Sequence, residues 1–416
     1  MPSFSSFRCC LVSTLILLAL LNFVFFRSRA SAPLQHSVEE FKILCDDYFY
    51  FKPTPTTTRH VVDCQKLLEQ NVPQVCESQT YHRKDNDEHM EKILNDCDDY
   101  RSQRGYDVAA GISDVEKRYP IAYSILVHTS FAQIERLLRM IYSPNNWYCF
   151  HVDSKSEDLH RQLTMLASCF PNFFLTSERE MVFWGGFSVL KGTLNCMEEL
   201  LEKGGEWQYF INLSGHDVPL MDNFEIAEFL QSLQGQNMAE VKVEVRNSRY
   251  AYHHEVVYGA KYPESLSKTG IRKERPPKSV TVFRGNLAAI LHRSFVQWLF
   301  ADEFAQEYTE WLNGTYLADE HLWATLLGNR LINAPGGVTS NSDYRARYVV
   351  WRDGKTPCGG KFVRDVCVFG VLDLKELLSS GYLFANKLYS NHQSDALDCL
   401  ELSLINKRIA RTQQVV

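Results

Sequence analysis

The feature that most constrains the fold is a series of short, continuously apolar segments that alternate with helical patterns from residue 119 onward. Ile121–His128 (IAYSILVH), Tyr148–Asp153 and Gln208–Leu213 are rich in β-branched and aromatic residues, which is typical of strands buried on both faces. Phe131–Tyr142, between the first two, has a helical apolar stripe. This alternation predicts an α/β fold, a mostly parallel sheet with helices on both faces.

Polar residues stand where three of these predicted strands end. They are His128, Asp153 and Asp217. In an open parallel sheet, ligands bind outside the carboxyl ends of the strands. Any one of these residues could simply cap a loop, but the three together predict a polar site at this edge of the sheet.

The N-terminal region contains an apolar segment of membrane-spanning length. Cys9–Phe26 carries no charge and, at about 1.5 Å per helical residue, would span roughly 27 Å of a bilayer core of about 30 Å. Small residues at 30–32 leave a cleaved signal peptide as the alternative, but the length favours an uncleaved signal anchor. The predicted division is a cytoplasmic tail at 1–8, a transmembrane signal anchor at 9–26, a luminal stem and N-terminal region at 27–118 and a catalytic domain at 119–416.

Composition agrees with a translocated globular chain. The balance of 44 Lys and Arg against 50 Asp and Glu argues against nucleic acid as a partner. Ten of the 12 cysteines follow the apolar segment, and an even number in a translocated chain indicates disulfides. Of two glycosylation sequons, the one at Asn313 lies in a polar stretch and is predicted to be used, whereas Asn212 ends an apolar strand and is predicted to be buried.

Six sequence blocks, taken in order, identify a family. They are YSILVH at 123–128, RLLRMIYSPNNWYCFHVDSKS at 136–156, INLSGHDVPL at 211–220, DEHLWATL at 319–326, VRDVCVFGVLDL at 363–374 and LFANKLY at 383–389. One block alone would be weak, but the six together resemble the core 2/I-branching β-1,6-N-acetylglucosaminyltransferase family (glycosyltransferase family 14) over nearly the whole predicted luminal part.

The resemblance implies both a fold and a reaction. The fold is the A-type nucleotide-diphospho-sugar transferase fold. The reaction is an inverting, metal-independent transfer of a sugar, with N-acetylglucosamine the first expectation, from a UDP donor in β-1,6 linkage onto a galactose- and GalNAc-containing O-glycan of a glycoprotein. The implied location is the Golgi membrane, as a single-pass type II protein with a luminal catalytic domain.

An inverting transfer needs a carboxylate that takes the proton from the attacking acceptor hydroxyl. Asp319 and Glu320 precede a helical pattern with Leu322, Trp323 and Leu326 on its apolar side. Both acids could simply complement the positive N-terminus of that helix. The resemblance implies that Glu320 is the catalytic base and leaves Asp319 as the cap.

The leaving UDP needs positive charge beside its phosphates. The resemblance assigns Arg364 and Lys387 to this role. Both suit it chemically, since an Arg can bond two phosphate oxygens and a Lys supplies a compact charge. Many A-type transferases use a metal bound by an Asp-x-Asp motif instead. A triplet of this kind, Asp85-Asn86-Asp87, lies in a charged run before the sheet and is interpreted as a solvated helix face. As the resemblance implies, no metal cofactor is expected.

The resemblance also assigns the remaining donor contacts. It places the uridine of the UDP-sugar against four residues at strand ends and the donor against one aromatic side chain. These are Leu126, Val127, His128 and Asp153, with Trp184 as the aromatic residue.

The acceptor side is assigned less directly, because the match there needs a one-residue gap. Glu240, Arg246, Arg249 and Trp351 are the predicted acceptor-binding residues. Trp351 could offer an apolar ring face to a sugar. Asp353 stands where the core 2 pattern has an aromatic residue, which leaves the acceptor, and even the donor sugar, open.

The family's disulfide pairing can be carried over by position. It implies Cys64–Cys399, Cys97–Cys169, Cys149–Cys196 and Cys358–Cys367. The last bridge would help to fix Arg364. Cys45 and Cys76 lie outside the pattern and could bridge each other, or Cys45 could link two chains in a homodimer.

Two alternatives remain open. The wider family includes peptide O-xylosyltransferases, so a glucosyl- or xylosyltransferase of the same fold is one alternative. The other is an inactive, membrane-anchored carbohydrate-binding protein. Retention of Glu320, Arg364 and Lys387 favours an enzyme, since a binding module has no use for a base beside a diphosphate clamp.

Overall fold

The computed structural model describes residues 62–80, 91, 94–106, 111–245 and 247–414, together with residues 38, 41 and 45. By its contacts the chain divides into two compact units, Met1–Cys76 and Glu77–Val416. The predicted anchor at 9–26, the Asp85-Asn86-Asp87 triplet and Arg246 lie outside the described residues. Within the described ranges no helix is both long enough and apolar enough to cross a membrane. The predicted domain boundary at 118/119 stays a prediction.

The strands and helices follow one another along the chain much as the alternating pattern predicts. The strands are β1 Ile121–Val127, β2 Trp147–Val152, β3 Phe173–Leu175, β4 Tyr209–Ser214, β5 Asp217–Pro219, β6 Lys242–Val243, β7 Tyr252–Tyr258, β8 Pro263–Arg272, β9 Phe283–Arg284, β10 Ile290–His292, β11 Lys361–Val363, β12 Val366–Val368 and β13 Phe384–Asn386. The helices with described bounds are α1 Cys64–Leu68, α2 Val72–Thr80, α3 Cys97–Arg104, α4 Asp114–Arg118, α5 Phe131–Ile141, α6 Glu157–Ala167, α7 Phe187–Glu202, α8 Asn223–Ser232, α9 Arg293–Ala301, α10 Glu303–Trp311, α11 Leu322–Gly328, α12 Leu374–Ser379 and α13 Ser394–Gln414.

The central sheet has five strands in the order β10-β4-β1-β2-β3. β1 pairs in parallel with β2 on one side and β4 on the other, and β3 continues in parallel beyond β2. Only the edge strand β10 is antiparallel in this sheet. The prediction of a mostly parallel α/β sheet is therefore confirmed.

The sheet separates two hydrophobic cores, because successive side chains of a strand point to opposite faces. On one face Ile121, Tyr123 and Ile125 of β1 pack with apolar residues of α5, α6 and α8. On the other, Ala122 packs with apolar residues of α7 and α9–α11. Each large apolar side chain buried in this way contributes about 1.5–3 kcal/mol to folding. Both faces are covered, so the carboxyl edge of the sheet is left for the site.

Two smaller strand pairs complete that edge. β13 pairs antiparallel with β5, and Asn386 lies opposite Asp217 in this pair. β11 and β12 form a tight hairpin whose tip is Arg364 and Asp365. The hairpin and the end of β13 bring two segments from the C-terminal part of the chain to the strand ends of the central sheet.

Four described disulfides stabilise the fold. Three have the pairs implied by the family resemblance, and Cys45 is bonded to Cys76. The bonds are Cys45–Cys76, Cys97–Cys169, Cys149–Cys196 and Cys358–Cys367. The pairing of Cys64 with Cys399 stays a prediction.

The two sequons differ in accessibility. Asn313 is exposed, as its use as a glycosylation site requires. Asn212 is 4% exposed, and its side-chain amide donates to the carbonyl of Leu287 and accepts from the backbone N–H of Ala289. The Asn212 side chain is therefore used in hydrogen bonds within the fold, in agreement with the prediction that it is buried.

Candidate active site

A group of rings occupies the carboxyl edge of the sheet. His128 follows β1 and His216 follows β4, and their ring centroids are 5.5 Å apart. The His216 ring lies 4.7 Å from the ring of Tyr389, which comes from the segment after β13. The site predicted at the strand ends therefore includes His216 and Tyr389, two residues that the sequence did not single out.

Both histidines are held toward their neutral form. Burial lowers the pKa of His216 to about 4, and the charges of His128 and Lys387 act in the same direction. Loss of hydration also lowers the pKa of His128; Asp153 opposes this shift, while Lys155 and Arg364 reinforce it. A neutral imidazole has one donor and one acceptor nitrogen, which suits recognition of an uncharged heterocycle.

Arg364 occupies the tip of the β11–β12 hairpin in an unusual backbone conformation. Its φ is 50° and that of Asp365 is 63°. A two-residue hairpin turn with both φ values positive normally takes Asn-Gly or a similar pair, so two residues with larger side chains here cost free energy. Arg352 supports the tip, since its backbone N–H and its Nε donate to Asp365 O and Oδ1 at 2.9 and 3.0 Å. The Cys358–Cys367 disulfide anchors the base of the hairpin on β12.

Lys387 follows β13 and lies near Arg364. Its Nζ is 3.2 Å from the carbonyl oxygen of Val363 and 5.6 Å from the ring centroid of Tyr389. Burial, followed by the charge of Arg364, lowers the pKa of Lys387. Two neighbouring cations repel one another, so an anion bound between them would be stabilised by both.

Asp217 fixes the backbone that carries Lys387. Its Oδ1 accepts from Asn386 Nδ2 at 2.8 Å, and its Oδ2 accepts from the backbone N–H of Ser214 at 2.5 Å. Arg347, itself buried, forms an ion pair with the same carboxylate at 3.3 Å. The Asp217 carboxylate therefore links the end of β4 to the end of β13 by hydrogen bonds, and it is not available to a ligand.

The predicted uridine contacts form the floor of this edge. The carbonyl oxygens of Leu126 and Val127 accept from the backbone N–H groups of Gly215 and Asp153, at 3.0 and 2.9 Å. The Asp153 carboxylate accepts from the backbone N–H and the Nζ of Lys155 at 2.9 and 2.6 Å. The structure places all three residues beside His128, and their role in uridine binding stays a prediction.

Glu320 lies on a separate segment, the single 3₁₀ turn Ala318–Glu320 that precedes α11. Its Oε2 accepts from Arg249 Nη1 at 2.5 Å, and its backbone carbonyl accepts from the N–H of Gly285 at 2.7 Å. The side chain is 25% exposed, so an acceptor hydroxyl can reach it. Arg249, a predicted acceptor-binding residue, thus lies against the predicted base.

A second carboxylate faces the same arginine from the protein interior. Glu244 Oε2 is 3.7 Å from Arg249 Nη1 and 3.9 Å from Arg284 Nε, and the Glu244 side chain is fully buried. The order Glu320, Arg249, Glu244, Arg284 alternates negative and positive charge. Glu244 and Arg284 were missed because no local sequence pattern relates residues that meet only through folding.

The prediction that Asp319 caps a helix opened by the two acids is wrong. Helix α11 begins at Leu322 with His321 in the cap position, and no side chain bonds to its N-terminus. Asp319 Oδ1 is buried and has no hydrogen-bond partner. Burial, followed by the adjacent Glu320 carboxylate, raises the pKa of Asp319 to about 7, with Arg249 opposing.

This shift gives a testable pH dependence of stability. The pKa of Asp319 is about 7 in the folded protein and 3.8 ordinarily. Between pH 3.8 and about pH 7 the folded protein therefore keeps a proton on Asp319 that the unfolded chain has lost. The free energy of unfolding therefore falls as the pH rises through this window. In Asp319→Asn this contribution is absent. We expect its stability relative to wild type to increase by about 2–3 kcal/mol from about pH 5 to about pH 8. Urea unfolding of both proteins at both pH values measures this difference, and an unchanged difference would contradict the assignment.

Trp184 and the following glycine connect the two halves of the site. The Trp184 side chain is 58% exposed, and its ring centroid is 6.1 Å from that of Tyr316. Gly185 has φ +82°, and a Cβ there would lie 2.8 Å from Tyr316 Cε2, so this close approach requires glycine. The Gly185 carbonyl accepts from the backbone N–H of Leu317, in the segment that leads to Glu320.

The same loop reaches back to the strand ends. The carbonyl of Glu180 accepts from the backbone N–H of Ser154 at 3.0 Å, and that of Val182 accepts from Lys155 Nζ at 2.5 Å. The loop therefore runs from the Asp153 corner to the Glu320 segment. Sequence reasoning found Trp184 but not Tyr316, whose ring depends on this long-range contact.

The remaining predicted acceptor residues lie on neighbouring segments. The Glu240 side chain forms an ion pair with Lys242. The backbone carbonyl of Glu240 lies so close to Gly285 that a Cβ at position 285 would clash with it. Trp351 is 48% exposed and pairs by a backbone bridge with Val366 of β12, beside Arg364. Their role in acceptor binding stays a prediction.

The acidic side chains of the described residues form no metal centre. Within that part of the chain, no group of three or more His, Cys, Asp or Glu residues is placed to hold a metal ion. Arg364 and Lys387 supply positive charge near the strand ends, where Lys155 also pairs with Asp153.

Comparison with known proteins shows which family the chain resembles. The family described as Core-2/I-Branching enzyme matches residues 121–378. The Mus musculus beta-1,3-galactosyl-O-glycosyl-glycoprotein beta-1,6-N-acetylglucosaminyltransferase 4 is 35% identical over 370 residues, covering 84% of this chain and 80% of that protein. The Homo sapiens transferase 3 of the same description is 36% identical over 346 residues, covering 79% and 77%. A Bovine herpesvirus 4 enzyme with this description is 36% identical over 340 residues, covering 77% and 75%.

Proposed function

The chain belongs to the Core-2/I-branching enzyme family of glycosyltransferases, and we propose that it transfers N-acetylglucosamine from UDP-GlcNAc to an O-glycan. The acceptor is the 6-hydroxyl of a GalNAc that carries β-1,3-linked galactose on a glycoprotein. The new linkage is β-1,6, and the reaction uses no metal ion. The relatives named above are described as enzymes that make this linkage on such a glycoprotein.

One observation carries the proposal. The loop through Trp184 runs between two parts of the site. One part holds the partly exposed carboxylate of Glu320, and the other holds two neighbouring cations, Arg364 and Lys387. A base and an anion clamp are the two elements that an inverting displacement from a nucleoside diphosphate requires.

The residues act in one displacement step. With the diphosphate between Arg364 and Lys387, the anomeric carbon of the donor lies toward Glu320. The acceptor oxygen forms a bond to that carbon as its proton passes to Glu320 Oε2. The bond from the anomeric carbon to the UDP oxygen breaks, and the two cations stabilise the negative charge that UDP gains. Attack opposite the leaving group converts the α-linked donor into a β-linked product.

Arg249 has to yield part of its contact with Glu320 during this step. The hydrogen bond from Arg249 Nη1 occupies Oε2 of Glu320, the oxygen that is proposed to receive the acceptor proton. Glu244, on the other side of Arg249, offers the guanidinium an alternative partner. Binding of acceptor hydroxyls to Arg249 would then free Oε2 of Glu320 for the proton.

The proposed location is the luminal face of the Golgi membrane. Its support is the uncharged segment at 9–26 together with disulfides in the part of the chain that follows. Expression of the full chain with protease protection assays on isolated membranes tests this topology.

A donor panel tests the reaction itself. The protein from about residue 31 onward would be incubated with an aryl Galβ1-3GalNAc acceptor and, in turn, UDP-GlcNAc, UDP-glucose, UDP-xylose and UDP-GalNAc, each with EDTA and with Mn²⁺. We expect transfer from UDP-GlcNAc at equal rates in EDTA and Mn²⁺. Faster transfer from UDP-glucose or UDP-xylose would replace the donor assignment, and a strict metal requirement would contradict the role of the two cations.

A further inference from the structure

The β7–β8 hairpin is a two-stranded sheet of its own, beside the central one. It consists of Tyr252–Tyr258 and Pro263–Arg272, joined by a turn in which the N–H of Gly259 donates to the carbonyl of Tyr262. None of its residues is fully buried. The hairpin therefore contributes little to the hydrophobic core.

One face of the hairpin lies against the candidate active site. The ring centroid of His254 is 5.7 Å from that of Tyr316, the aromatic residue next to Trp184. A Cβ at Gly186 would lie 3.6 Å from Val256 Cγ2. The base of the hairpin is therefore continuous with the loop and turn that carry Trp184 and Glu320.

The same face continues outward past that loop. Alternate residues of a strand share a face. The pairing register shifts between Val257 and Tyr258, but the extra residue belongs to β8, so Tyr258 follows His254 and Val256 on the side toward the site. At about 3.3 Å per residue, Tyr258 lies roughly 13 Å along the strand from His254. Its side chain is 64% exposed, and that of Tyr262 in the turn is 39% exposed. Exposed rings thus lie at both ends of this stretch, with Trp184 beside the site and Tyr258 and Tyr262 at the tip of the hairpin.

Positive side chains accompany these rings. Lys261 Nζ lies 4.9 Å from the ring centroid of Tyr262, and Lys268 Nζ lies 4.1 Å from that of Tyr252. Aromatic rings with a polar tip offer an apolar face to the C–H groups of a sugar and a hydroxyl to its oxygens. Ammonium groups add donors for sugar hydroxyls and attract acidic sugars.

We propose that this face of the β7–β8 hairpin is an outer acceptor subsite, which binds sugar residues of the acceptor glycan beyond the disaccharide that reacts. Tyr258 and Tyr262 are its principal contacts. The inference rests on the proposed function and adds a preference for extended glycans. It concerns the sugar of the acceptor, not its polypeptide.

The test compares three acceptors with the double variant Tyr258→Ala/Tyr262→Ala. The acceptors are the aryl disaccharide, the same disaccharide on a peptide, and the aryl disaccharide extended by a lactosamine unit. We expect KM for the extended glycan to rise about tenfold, the loss expected for two ring contacts. The KM values for the other two acceptors and for UDP-GlcNAc should stay unchanged.

Val257→Ala is the matched control, because Val257 is exposed on the opposite face of the same strand. We expect it to leave all KM values unchanged. Direct binding of the extended glycan to each protein, measured by calorimetry without donor, should show the same tenfold weakening in the double variant only.

Other outcomes would overturn the subsite. Equal KM values for the extended glycan in wild type and double variant would exclude it, and a rise confined to the glycopeptide would show that the hairpin binds polypeptide. A similar loss for all three acceptors would make the hairpin a support of the active site. Failure of wild type to use the disaccharide at all would instead contradict the proposed function. In that case, calorimetric binding of the extended glycan would still show whether the hairpin binds sugar.

Discussion

Replacing Glu320 with glutamine is expected to lower kcat by about 10³-fold, within the range of contributions that a positioned general base makes. The amide is nearly the same size and can still accept from Arg249 Nη1, so the 3₁₀ turn and the acceptor pocket should stay intact. It cannot take the proton of the attacking hydroxyl. KM for UDP-GlcNAc should change little, because the predicted donor contacts lie at the strand ends. Initial rates with UDP-GlcNAc and the aryl disaccharide measure both constants.

The matched control is Glu310→Gln. Glu310 is exposed on the last turn of α10, ten residues before the base in the sequence. Its replacement should leave kcat within about twofold, since surface substitutions away from a site have small effects. A Glu320→Gln variant that keeps most of its activity, with unchanged melting behaviour, would remove Glu320 from the reaction and direct attention to Asp319.

Removing the two cations is expected to have the second large effect. Each charge-assisted hydrogen bond to a phosphate is worth about 1.5–3 kcal/mol, so Arg364→Met and Lys387→Met should each lower kcat/KM by about 10- to 100-fold. The double variant should lose less than the product of the two single effects, since both residues contact one diphosphate. Competitive inhibition by UDP should weaken in parallel. Added Mn²⁺ should not restore activity, because the proposed reaction uses Arg364 and Lys387 in place of a metal ion.

Two further variants separate charge from position. Arg364→Lys keeps the charge but loses the contact with two oxygens, so intermediate activity is expected. Lys361→Met removes an exposed cation from the same hairpin and should have little effect. If Lys361→Met were as damaging as Arg364→Met, general electrostatic attraction rather than a specific diphosphate contact would explain the result.

Much of the fold could be predicted because its strands carry a strong local signal. Ile121–Val127 is apolar except for Ser124, and such a run in a pattern of alternating strands and helices has few structural interpretations. The same signal predicted where the strands end, and it therefore placed His128 and Asp153 at the carboxyl edge of the sheet. The prediction that Glu320, Arg364 and Lys387 are site residues required the family resemblance, since a single Glu, Arg or Lys has no distinctive local pattern.

Other parts of the site depend on contacts between distant segments. Glu244 lies only five residues before Arg249, but its contact with Arg284 forms only after β9 pairs with β6. The positive φ of Arg364 could not be expected from a turn without Gly or Asn. The β7–β8 hairpin lacks a buried apolar face, so its polar sequence gave no strand signal. Asp319 was assigned to a cap because a helix N-terminus is the usual place for an acid before an apolar stripe.

The most direct test of the account is the structure of the product that wild-type protein forms in EDTA. The trisaccharide made from UDP-GlcNAc and the aryl Galβ1-3GalNAc acceptor would be isolated, and NMR would determine the anomeric configuration and the substituted hydroxyl. We expect a β-linked N-acetylglucosamine on the 6-hydroxyl of GalNAc, formed as fast in EDTA as in Mn²⁺. An α-linked product, or no product until a divalent metal is supplied, would contradict an inverting displacement driven by Glu320 with Arg364 and Lys387 on the leaving diphosphate.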